Sequence, residues 1–109
     1  MAQNDMHVVM YKILAYVYEC MKTGVEPDTG KISSSALCIP DEYWKQIIRE
    51  LVEHGFLTGT SIIQTTSGVV IGFEKPRVTM DGVEFLMENS MMAKAKQFLV
   101  EAKSAIPFI

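Results

Sequence analysis

A chain of 109 residues is long enough for one domain that buries roughly two-thirds of its unfolded surface, and its 49% apolar and 21% charged residues exclude a disordered tail. Ten Lys and Arg against thirteen Asp and Glu leave a net charge of −3. A free DNA-binding domain normally carries a basic surplus to neutralise phosphates, so any nucleic-acid site here has to be a local patch.

The opening MAQNDMHVVMYK lacks the basic start and unbroken apolar core of a signal peptide, and no apolar run approaches the ~20 residues that span a bilayer. Cys20 and Cys38 are too few for a disulfide framework. A cytoplasmic protein with two reduced thiols, both acting as small buried hydrophobes, is the expectation.

The first helix is expected over 5–23, with Asn4 or Asp5 at its cap and Gly24 at its stop. Met6, Val9, Met10, Ile13, Leu14, Val17 and Met21 make one stripe at helical spacing. A second stripe of Val8, Tyr11, Ala15 and Tyr18 lies nearly opposite, so this helix is expected to be sandwiched between the body of the domain and a C-terminal helix or second subunit. The stretch Gly24–Lys31 reads as a loop rich in turn residues. Ser33 or Ser34 then caps a very short helix over 33–37, and Ile39-Pro40 turns the chain into a longer helix over 40–54. Tyr43, Trp44, Ile47, Ile48, Leu51 and Val52 give that third helix a wide core-facing stripe, and Gly55 ends it.

Strands are expected over 56–63 and 69–78, joined by the hairpin connection Gln64–Gly68, with Gly59 and Gly72 marking bulges or close backbone approach. A fourth helix over 79–89 is capped by Thr79 and buries Met80, Val83, Leu86 and Met87. Gly82 in its first turn signals a close approach. A fifth helix over 90–105 carries Met91, Met92, Ala95, Phe98, Leu99, Ala102 and Ile106 on one stripe, and the tail IPFI folds back on the body. The fold class is therefore α+β and mostly helical. A three-helix head followed by a β-hairpin is the winged-helix arrangement, here with two additional C-terminal helices in a single domain.

The segment VTMDGVEFLMENSMMAKA resembles the signature of the YjcQ-like family, small bacterial and prophage-borne winged-helix proteins. Thr79, Gly82 and Leu86 match the family's Thr-x-x-Gly-x-x-x-Leu helix, and Glu88, Asn89 and Ser90 match the break that follows it. The stretch WKQIIRELVEHGFLTG is similar to the family's third helix and first wing strand, so the resemblance covers roughly 32–103. What it implies is the fold.

Chemistry-bearing residues are few. His7, Cys20, Cys38 and His54 lack the short spacing of a zinc site, and nothing around them marks an activated thiol. With no glycine-rich phosphate loop and no singled-out carboxylate pair, neither an enzyme nor a cofactor, metal or small-molecule ligand is expected. DNA binding is the expectation of the fold. Lys45 and Arg49, four residues apart with Gln46 beside them, share the outer face of the third helix and can reach a major groove. Lys31, Lys75 and Arg77 are candidates for phosphate contacts. Asp41 and Glu42 at the helix start oppose this reading, as does a wing tip without a cation. Glu42–Lys45 and Arg49–Glu53 have the spacing of intrahelical ion pairs on a merely solvated face. Two functions stay open: a regulator of transcription on double-stranded DNA, homodimeric through the first and fifth helices, or a winged-helix module that binds protein. No membrane partner is expected.

Overall fold

The computed structural model describes residues 5–89, so the expected fifth helix and the IPFI tail lie outside the described residues. Helix α1 (Met6–Thr23) begins after Asp5, which holds the N-cap in extended conformation. It ends where Gly24 turns left-handed, and the amides of Gly24 and Val25 close on the carbonyls of Met21 and Cys20. Its main stripe forms the centre of the core, with Val9, Met10, Ile13, Leu14, Val17 and Cys20 buried. Its second stripe is half-covered, Tyr11, Ala15 and Tyr18 touching the core from its margin.

The loop after α1 is more ordered than its turn-rich composition indicates. The Asp28 carboxylate accepts the Gly30 amide and starts a 3₁₀ turn, Thr29–Ile32, while the Asp28 amide donates to the Tyr16 hydroxyl of α1. Helix α2 (Ser34–Leu37) is capped by Ser33, whose hydroxyl accepts the Ala36 amide. Cys38 follows with φ 57° and is exposed, contrary to the buried role expected of it. It closes α2 as the left-handed cap, a position that turns its side chain out of the core.

Helix α3 (Asp41–Glu53) buries Trp44, Ile47, Ile48 and Leu51 against α1. Trp44 fixes the angle between α3 and the segment before it, its indole N–H donating 2.7 Å to the Ile32 carbonyl in a buried hydrogen bond. The Ser34 hydroxyl donates to Asp41, a second tie between α2 and the start of α3.

Strands β1 (Leu57–Thr65) and β2 (Gly68–Val78) form one antiparallel pair. The connection is two residues, Thr66 and Ser67, shorter than the five expected, because Thr65 and Gly68 still pair across it. The pairing slips between Thr58 and Thr60, where Gly59 lies at φ 73°. This bulge changes which face looks inward. Leu57 and Val78, a cross-strand pair, are buried at the base. Beyond the bulge the inward pairs are Thr60 with Phe73 and Ile62 with Ile71, and strict alternation from Leu57 would have turned these residues outward. Gly72 is no bulge, since it pairs in regular register with Ser61.

Helix α4, residues 80–89, returns to the junction between α3 and β1. The Thr79 amide donates to the Phe56 carbonyl, its hydroxyl donates to the Gly55 carbonyl, and the same hydroxyl accepts the Gly82 amide. A Cβ at Gly82 would overlap both the Phe56 carbonyl and the Val78 side chain. Gly82 is thus the point of closest approach, and α4 rolls onto Gly82 and Leu86. Met80 and Met87, expected in the buried face, are 78% and 68% exposed as a result.

Candidate functional site

The candidate DNA-reading face lies on α3, where the outward residues follow from the inward ones at about 3.6 residues per turn. Lys45 does not project freely from it. Its ammonium is 3.2 Å from Asp41 and 3.8 Å from Glu42, and its side chain is only 24% exposed. Asp41 and Glu42 suit the first turn, where the helix dipole favours negative charge. Placed three and four residues before Lys45, they also have the favourable order for intrahelical pairs. Each pair contributes only tenths of a kcal/mol to stability. Electrostatically, two carboxylates surround one ammonium at the end of the helix that would meet phosphate.

The pairing foreseen from spacing is half right. Glu42–Lys45 forms, whereas Arg49–Glu53 does not, and Glu50 instead meets His54 at 3.3 Å. Among the described residues no carboxylate lies within ion-pair distance of Arg49, Lys75 or Arg77. Gln46 is exposed beside Lys45.

The remaining candidates belong to other surfaces. Lys31 lies over the Tyr16 ring of α1, 5.9 Å from its centroid. Lys75 and Arg77, on the outward side of β2 flanking buried Pro76, line an open pocket of about 370 Å³ with the end of α1 and the loop Gly24–Pro27. None of Lys31, Lys45, Gln46 and Arg49 lines that pocket. Glu26 shares its wall, and Cys20 and Met21 lie against it.

At the wing tip the Thr65 hydroxyl donates to the Gly68 carbonyl and meets the Ser67 hydroxyl. Just behind it the cross-strand pair Ile63 and Val70 is 51% and 49% exposed. Nothing in the local sequence singles out this pair, since strict alternation from buried Leu57 would turn Ile63 inward. The bulge at Gly59 was the available signal.

The histidines and cysteines are dispersed: Cys20 is buried beside the core, Cys38 is exposed at the end of α2, and both histidines join aromatic rings. His7 stacks on Phe85, Phe85 meets Phe56 at a tilt, and Phe56 stacks on His54, forming one row of rings across α1, α4 and the end of α3. No three His, Cys, Asp or Glu side chains are grouped as metal ligands among the described residues. No helix of the described residues is long and apolar enough to cross a membrane.

Four of the residues that carried the family resemblance are scaffold. Thr79 and Gly82 fasten α4 to the α3–β1 junction, Leu86 is buried in the core, and Asn89 donates to the Phe85 carbonyl. No curated protein and no solved structure matches the chain. The family model described as YjcQ protein matches residues 11–105, reaching further back than the resemblance in the sequence and taking in most of α1. With most of the head, the hairpin and the Thr79–Gly82 fastening inside that match, the chain belongs to the YjcQ family.

Proposed function

We propose that this winged-helix domain is a non-enzymatic module that binds a protein partner. The observation that carries the reading is the capture of Lys45 by Asp41 and Glu42 at the start of α3. Two further features support it. The chain holds ten Lys and Arg against thirteen Asp and Glu, a net charge of −3 that repels a polyanion at long range. The hairpin presents hydroxyls and the Ile63–Val70 pair where a DNA-binding wing would need cations.

The competing reading is a regulator bound to duplex DNA, and it has its own support. Arg49, Lys75 and Arg77 have no carboxylate partner among the described residues, and Gln46 is free to reach a base edge. A titration of labelled mixed-sequence and genomic duplexes at low salt separates the two. The protein-binding reading expects no saturable complex even there, where phosphate contacts are strongest. A complex that weakens steeply with added salt, and is lost in Arg49→Ala, would overturn it. A photo-crosslinker placed at Ile63 in cells supplies the positive arm, with a discrete protein adduct expected that disappears in Val70→Glu.

A further inference from the structure

The outward face of α4 combines Met80 and Met87 with Asp81, Glu84 and Glu88. Between Val78 and Asn89 the chain has no Lys or Arg, so this face is both apolar and uniformly acidic. The twenty residues that follow it, 90–109, have the opposite character, with three lysines against one glutamate. We propose that this face is a docking surface for the chain's own residues 91–106, folded back along α4 in the same copy.

Three arguments converge on that occupant. Charge is the first, since a segment of balance +2 follows directly on a domain of balance −5. Proximity is the second, because a segment joined at residue 89 meets α4 at the high effective concentration of a short tether. Angular placement is the third. At about 100° per residue, Glu84, Glu88 and Asp81 all flank the Met80–Met87 line on one side. Wound with the same period, residues 91–106 carry Lys96 and Lys103 on the matching side of the stripe made by Met91, Ala95, Phe98, Leu99 and Ala102. Two helices packed antiparallel bring like-sided flanks together, and a fold-back after residue 89 is necessarily antiparallel. Counting back from the turn sets Glu84 opposite Lys96. The inference is independent of whether the domain's partner is protein or DNA.

Hydrogen exchange of residues 91–106 in the full chain, followed by mass spectrometry at several protein concentrations, tests it. Peptides over Ile47–Leu51 report that the core is intact in every variant. Glu84→Lys and Lys96→Glu are each expected to speed exchange of 91–106 by about two- to fivefold, the size of an exposed ion pair. The double variant with the charges exchanged is expected to restore the original rate. Met80→Ser with Met87→Ser is expected to raise exchange by about tenfold or more, through loss of the apolar contact. Equal rates in all variants would overturn the proposal. Protection that appears only as concentration rises would also overturn it, assigning the face to a second copy.

Discussion

The two ends of the hairpin follow different rules. At its base, Leu57 and Val78 are buried, Gly59 admits the Lys75 carbonyl where a side chain would stand, and the Val78 amide donates to the Met21 sulfur of α1. At its tip, Thr65 and Ser67 satisfy one another, and Ile63 and Val70 reach into solvent. The base is explained completely by packing. The tip is not, because Ile63 and Val70 keep about half of their surface in water, and a cross-strand pair accounts for only a small part of such exposure. On the protein-binding reading, the exposed remainder of that pair is the surface a partner covers. The bulge joins the two ends, since the face change at Gly59 is what turns Ile63 and Val70 outward.

The strongest way to break this contrast is to fill the glycines of the base. A methyl at Gly59 meets the Lys75 carbonyl at a positive φ, and one at Gly82 meets the Phe56 carbonyl at the α4 fastening. Both obstacles are backbone, which cannot swing aside as a side chain can. Gly59→Ala and Gly82→Ala are each expected to lose roughly 3 kcal/mol or more, at the severe end for single substitutions. Urea unfolding measures the loss. Little change in midpoint would mean that the strand pairing and the α4 contact are looser than described.

Next in size is Trp44→Phe. The ring contact with Phe73 survives in part, while the buried Ile32 carbonyl loses its donor. An unsatisfied buried acceptor costs about 1–3 kcal/mol. Urea unfolding followed by far-UV circular dichroism measures the cost, since the variant has no tryptophan, and an unchanged midpoint would mean that the Ile32 carbonyl finds another donor.

How much of this was legible depends on what kind of information each feature needs. Helix α1, helix α3 and the strands follow from period and β-branching, and Thr79 announces its cap in the local sequence. The roll of α4 does not. Met80, Val83, Leu86 and Met87 make a plausible apolar face, and only the Phe56 carbonyl decides that Gly82 faces inward instead. Gly59 and Gly72 are equally suspicious as strand glycines, yet register alone distinguishes the bulge from the regular pair. On α3 the Glu42–Lys45 pair was readable from spacing, and Asp41 has the spacing as well, four residues before Lys45. Arg49–Glu53 has equal spacing without a contact, since a surface pair worth tenths of a kcal/mol is not enforced by it. The neighbours of Lys75 and Arg77 come from the far end of α1, which no local pattern contains.

Thr60 marks the boundary between the two regimes. It pairs with Phe73 on the inward face just beyond the bulge, and its hydroxyl is buried with no hydrogen-bond partner among the described residues. Replacing that hydroxyl with a methyl removes a desolvation cost without losing a bond. Thr60→Val is expected to stabilise the domain by about 1 kcal/mol. Destabilisation would show that the hydroxyl is satisfied in solution, and that the wet tip begins one residue pair nearer the base.

The smallest stability effect is expected at the tip, where it is the most telling. Ile63→Thr with Val70→Thr keeps β-branching and strand propensity and removes only the exposed apolar surface. Cross-strand pairs of this kind contribute about 0.2–1 kcal/mol, and part of that survives between two threonines. The change in unfolding free energy should therefore stay within about 0.5 kcal/mol. If the pair exists for a partner, the same double substitution abolishes the adduct captured next to it, with the crosslinker moved to Thr65. A large loss of stability with the adduct retained would reverse the contrast between the two ends. Ile63 and Val70 would then be packing residues whose neighbour lies beyond residue 89, and the tip would obey the same rule as the base.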